Sequence, residues 1–123
     1  MPVRSLSSSV LRWPDRATVE QALRRWVEQA VRAREGVLRI GYFGSYARGD
    51  WGVGSDLDLV IVVESCTEPF ERRPAQWDAT ELPVPADVLV YTRAEWDSLP
   101  PARRFSRTLR EETIWLFQRE HSP

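Results

Sequence analysis

The segment Leu57-Asp58-Leu59-Val60-Ile61-Val62-Val63 constrains this chain's fold more than any other. Val and Ile dominate its second half, which predicts a β-strand packed on both faces and therefore central in a sheet. Yet the strand begins with carboxylates, in the order Ser55-Asp56-Leu57-Asp58. Successive strand side chains alternate faces, so Asp56 and Asp58 point the same way, about 6–7 Å apart at Cα. Leu57 and Leu59 then turn to the opposite face and into the core.

The rest of the chain supplies partners for such a strand. Val37 to Phe43 reads as a first strand and Ala86 to Tyr91 as a third. Residues 1–14 read as an irregular arm, after which a helix begins near Asp15 or Thr18. Thr18 and Gln21 fit a capping box, with Glu20 in the first turn. Val19, Leu23, Trp26, Val27, Ala30 and Val31 form its apolar stripe, and Gly36 marks its stop. Residues 64–84 read as a loop with one short helix near Pro74 to Ala79. Thr92 and Glu95 form a second capping box. A further helix is expected from Pro100-Pro101 to about Glu111, and Thr113 to Phe117 reads as a last strand or a continuation of that helix. At 123 residues the expectation is one domain over 1–123. Its class is α/β (α+β), a small mixed β-sheet with flanking helices packed on one face.

Composition narrows the chemistry. All 17 basic residues are Arg; there is no Lys. That excludes P-loop ATPases, protein kinases and Schiff-base enzymes. The single His is His121, close to the C-terminus, which leaves no base for a Ser-His-Asp or Cys-His arrangement. One cysteine, Cys66, makes neither an internal disulfide nor a zinc site. A net charge of -1 gives no general attraction to a phosphate backbone, so nucleic acid is not the expected partner. No segment reads as a signal peptide or membrane span, and a cytoplasmic protein is expected. Chemistry must run on carboxylates, hydroxyls, Arg and backbone amides.

Three features supply it. Asp56 and Asp58 are spaced to share two divalent ions about 3.5–4 Å apart, and hard oxygen ligands suit Mg²⁺ or Mn²⁺. Gly44-Ser45 follows the first strand directly. The glycine lets backbone approach a phosphate, and Ser45 adds a hydroxyl. A helical turn beginning there would aim its N–H groups at the anion. Asp87 opens the third strand and, if that strand is a neighbour, completes a carboxylate triad. Arg48 is a candidate phosphate contact or simply an exposed cation. Taken alone, a D-x-D pair is a weak signal and a Gly-Ser pair weaker. Gly52-Val53-Gly54 reads as a turn, Cys66 as a small buried or loop residue, and the tryptophans as core and rim. Trp51 is left open.

Together, Gly44-Ser45-Tyr46-Ala47-Arg48-Gly49-Asp50 and Ser55-Asp56-Leu57-Asp58-Leu59-Val60, with Asp87 later, resemble the signature of the DNA polymerase beta-like nucleotidyltransferase superfamily. Within it, the chain resembles the minimal nucleotidyltransferase (MNT) family, often encoded beside a HEPN-domain partner as a toxin–antitoxin pair. The resemblance implies a polymerase beta-like palm in which Asp56 and Asp58 bind two Mg²⁺ ions. Asp87 would share one ion and accept the proton of the attacking hydroxyl; Gly44 and Ser45, with Arg48, would hold the triphosphate of ATP. The implied reaction is transfer of AMP to a hydroxyl on a HEPN-type toxin, for which the chain would be the antitoxin. The length leaves little room for an acceptor domain, so a partner or an intersubunit cleft of a homo-oligomer would supply the acceptor. Alternatives are a non-catalytic partner-binding module and nucleotidyl transfer to a small molecule such as an aminoglycoside.

Overall fold

The computed structural model describes residues 14–52 and 54–119. Residues 1–13 of the arm expected over 1–14, Val53 and His121 lie outside the described residues. Helix α1 spans Arg16–Ala33, followed by strand β1, Val37–Phe43. A single helical turn, α2, covers Ser45–Arg48. Strand β2 is Leu57–Val63, and a 3₁₀ segment over Phe70–Gln76 leads towards β3, Ala86–Thr92. The chain closes with α3, Arg93–Asp97, α4, Arg104–Glu112, and β4, Ile114–Gln118.

The four strands form one mixed sheet in the order β3-β2-β1-β4. The apolar strand β2 is internal, as its composition requires. It pairs antiparallel with β1 and parallel with β3. Parallel neighbours cannot be joined by a tight turn, because the chain must return to the same end of the sheet. The long Pro-rich stretch 64–85 is that return. α1 locks onto it: Trp26 Nε1 donates to the Asp78 carbonyl at 2.7 Å, and the Arg34 guanidinium lies 4.1 Å over the Trp77 ring.

Two apolar layers fill the two faces of the sheet. Val19, Leu23, Trp26 and Val27 of α1 cover one, meeting Leu57, Leu59 and Ile61. Trp96 of α3 and Leu109 of α4 cover the other, meeting Val60 and Val62. Helices therefore lie on both faces, not one. The expectation failed because α3 and α4 are too short to announce an apolar face by periodicity.

Local signals fared unevenly. Asp15, not Thr18, caps α1 by accepting from the Thr18 amide at 2.8 Å, so Glu20 falls outside the first turn. Glu20 instead accepts from the Tyr42 hydroxyl at 3.0 Å. The capping box of Thr92 and Glu95 is present. Pro100 and Pro101 precede α4 in a turn that closes from the Arg103 amide to the Pro100 carbonyl. The short helix expected at 74–79 is instead a 3₁₀ segment beginning four residues earlier, and residues 114–118 form a strand.

Candidate active site

The β-sheet register brings the carboxylates together. Asp58 in β2 pairs with Asp87 in β3, and on its other side with Phe43 in β1. One row across three strands thus reads Asp87, Asp58, Phe43. Asp56 lies two residues before Asp58, just ahead of the strand and exposed. Leu57 and Leu59 are buried in the α1 layer, so Asp58 faces the other way. Alternation in β2 produces this arrangement directly.

Gly44 comes next after Phe43 and folds against Asp58. Its backbone is left-handed (φ 78°), and a Cβ there would overlap Oδ2 of Asp58 and stand 3.3 Å from its Cγ. Only glycine permits this approach. The expected helical turn does begin at Ser45. Its end is closed by the Gly49 amide donating to the Ser45 carbonyl at 2.9 Å.

Electrostatics mark Asp58 as the strained member. Partial burial, then the charges of Asp87 and Asp56, push its carboxyl above the ordinary carboxylate range, and Arg48 pulls weakly the other way. A concentration of negative charge at a partly buried site is relieved by a cation. Among the described residues no three His, Cys, Asp or Glu side chains stand close enough to hold a metal as they are. The all-oxygen donor set fits Mg²⁺ or Mn²⁺.

Arg48 is near but engaged. It pairs with Asp50 at 3.1 Å and Glu112 at 3.3 Å on the exposed surface. Trp51 stacks on Tyr46, with ring centroids 5.3 Å apart and planes 6° from parallel, and is half-buried against the core. It is a packing residue. The Gly52–Ser55 turn is closed by the Ser55 amide to the Gly52 carbonyl at 3.0 Å.

An open cleft of about 1130 Å³ contains Asp58 and Asp87 and extends along the crossover between β2 and β3. Phe43 and Phe105 form part of its wall, edge to face at 5.9 Å. Sequence reading passed over Phe105. It lies one turn from the buried Leu109 of α4, so spacing alone makes it look like one more core residue.

Residues 24–116, more than half of the chain, match the model of the nucleotidyltransferase domain family. No curated protein matches. Among solved structures, the chain is similar to a candidate nucleotidyltransferase from Sulfolobus solfataricus, with 19% identity and a TM-score of 0.62 over 85% of this chain and 84% of that one. It is also similar to a chain of a toxin–antitoxin solved with AMP-PNP, with 18% identity and a TM-score of 0.58 over 79% of this chain and 74% of that one. At these identities the likeness is one of fold.

Proposed function

The chain belongs to the nucleotidyltransferase domain family, and on that premise we propose that it transfers AMP from ATP to a hydroxyl group on a partner protein. The observation that carries this reading is the row of Asp87 and Asp58 on adjacent parallel strands, with Gly44 packed against Asp58. Asp56, Asp58 and Asp87 are the candidate ligands of divalent cations. When bound, such ions would supply charge neutralisation for the phosphates and the attacking oxygen.

The chain's own groups do the rest. The Gly44 backbone and the Ser45 hydroxyl hold the β- and γ-phosphates; Arg48 reaches them only by leaving Asp50 and Glu112. Asp87 accepts the proton of the acceptor hydroxyl. The acceptor oxygen then bonds to the α-phosphorus as the bond to the β-phosphate oxygen breaks, and pyrophosphate departs. Catalysis here is positioning plus electrostatics.

The choice of a protein acceptor is supported by the fold shared with a toxin–antitoxin chain solved with AMP-PNP. A HEPN-type toxin is the partner expected, and the chain would be its antitoxin. Incubation with α-labelled ATP, Mg²⁺ and the product of the neighbouring gene should label that product, and Asp58→Asn should lose transfer by orders of magnitude while staying folded. Full transfer by Asp58→Asn would remove the site assignment. If an Asp56→Asn/Asp58→Asn double variant still neutralised the partner, the chain would act by binding alone.

A further inference from the structure

We propose that the open edge of the sheet at β4 is a two-fold interface, on which a second copy of this chain pairs its own β4 antiparallel. The inference goes beyond the transfer reading and does not rest on it. Strand β4 reads Ile114-Trp115-Leu116-Phe117-Gln118, four apolar residues in succession, and not one of its residues is buried. It stands at the end of the sheet, and among the described residues its backbone bonds only to β1. Nothing in it discourages a further strand, since it holds no proline and no charge. The opposite edge is treated differently. The 3₁₀ segment Phe70–Gln76 lies against β3, where Arg73 takes the Val90 carbonyl and the Phe70 ring packs 5.2 Å from Tyr91. One edge is covered and the other is left open.

The surroundings of β4 specify the occupant. Its pairing with β1 skips one residue between Trp115 and Phe117, and Leu116 and Phe117 both pack on the α1 side. There they form, with Val27 and Val31, an apolar groove of about 330 Å³. Arg24, Glu28 and Arg32 stand along it one helical turn apart, and none of them is in an ion pair among the described residues. The ends of the strand are charged too. Glu111 and Glu112 precede β4 and Arg119 follows it. Glu111 and Arg119 likewise have no ion pair among the described residues. A two-fold axis normal to the sheet, through the middle of the β4 edge, sets the strand antiparallel to itself and keeps both grooves on one face. Arg119 of each copy then meets the acidic end of the other strand, and Glu28 of each lies toward an arginine of the other α1. Parallel pairing would set like ends together. A partner of another sequence would have to match both charge patterns, whereas a second copy carries them already. The same axis puts the two carboxylate rows at opposite ends of the joined sheet, so the pairing blocks neither.

Sedimentation equilibrium of the full chain, from about 1 to 100 μM to bracket micromolar association, should give a mass rising towards twice the 14.3 kDa of one chain. Ile114→Lys puts a charge on the open edge at a residue already 36% exposed. Circular dichroism should show it folded, while its dimer dissociation constant rises about tenfold or more. Arg119→Glu and Glu111→Arg should each weaken the dimer by setting like charges together, and the double variant Arg119→Glu/Glu111→Arg should restore it. If Ile114→Lys unfolds, these exposed charge reversals decide alone. A wild type that stays monomeric at the highest concentration, a dimer indifferent to a folded Ile114→Lys, or charge reversals that the double variant fails to rescue would each overturn the proposal. A monomeric wild type whose complex with the neighbouring gene's product is lost in Ile114→Lys would assign the edge to that protein and equally overturn it. Mass is measured without nucleotide, so failure here and failure of the transfer reading are separate results.

Discussion

Gly44 lies so close to Asp58 that a methyl group on its α-carbon would overlap the carboxylate oxygen Oδ2. The contact joins the phosphate turn to the carboxylate row, so neither can move alone. Gly44→Ala meets two obstacles, the overlap and a backbone at φ 78° and ψ -150° that side chains rarely adopt. Strain of this kind costs about 1–3 kcal/mol. The urea midpoint should fall accordingly, and nucleotidyl transfer should fall further than stability explains because Asp58 must swing aside. Wild-type transfer in a destabilised Gly44→Ala would separate the two elements.

The carboxylate row works against folding until a cation arrives. The Asp58 carboxyl is pushed up by burial and by Asp87 and Asp56. A carboxyl raised in the folded state binds protons more tightly folded than unfolded, so stability declines as pH rises past the unfolded value. In EDTA at neutral pH, Asp58→Asn should therefore melt above the wild type. The gap should close in acid, where both side chains are neutral. An Asp58→Asn variant that melts lower at neutral pH would show that the carboxylate is held by favourable contacts.

Ligand should reverse that order. Mg²⁺ with a non-hydrolysable ATP analogue stabilises only the folded chain, by an amount that grows with ligand over Kd, about 2.7 kcal/mol at a hundredfold excess. Thermal shift should show a rise in the wild type that Asp58→Asn and Asp87→Asn lack. Equal shifts in all three would mean that the nucleotide binds elsewhere.

What could be read from the sequence follows physical range. β2 announced itself because β-branched residues and alternation are local, and its ends match the strand observed. The Thr92 capping box was legible for the same reason. Asp87 was a different matter: its partnership with Asp58 depends on two strands running parallel, and only the length of 64–85 hinted at that. Asp15 and Thr18 are both capping residues three apart, and the choice between them is decided by where α1 packs. Arg73 in a Pro-rich stretch gave no sign of burial, because its partners come from β3 and α3.

Gly41 illustrates a further signal that only packing reveals. Its backbone φ is ordinary, but a Cβ would stand 2.6 Å from the Ile114 carbonyl oxygen and 2.8 Å from the Trp115 ring. β4 approaches β1 closely at the irregular point of their pairing. Gly41→Ala must push β4 away, at about 1–3 kcal/mol for an overpacked site. Denaturant unfolding should show the loss, with altered Trp115 fluorescence. Neutral stability would mean that β4 shifts freely.

Arg73 ties the crossover to the strand that carries Asp87. It is buried at 5% exposure and donates to the Glu68 carbonyl at 2.8 Å and the Val90 carbonyl at 3.0 Å. Nη1, which also bonds Val90, and Nη2 meet the two carboxylate oxygens of Glu95, at 2.6 and 3.1 Å. Arg73→Ala strands those carbonyls and should cost about 2–4 kcal/mol, within the range for breaking a buried, hydrogen-bonded charge. Glu95→Gln should cost less, since Glu95 is half-exposed and water replaces part of what it loses. The Glu95 carboxyl is held below its ordinary range, first by Arg73. A depressed carboxyl stabilises above the unfolded value, and that contribution is lost as pH falls through the folded one. Acid unfolding followed by circular dichroism should therefore show a flatter profile for Glu95→Gln than for the wild type. A variant as acid-sensitive as the wild type would mean that the Arg73–Glu95 pair contributes nothing to holding β3 in register.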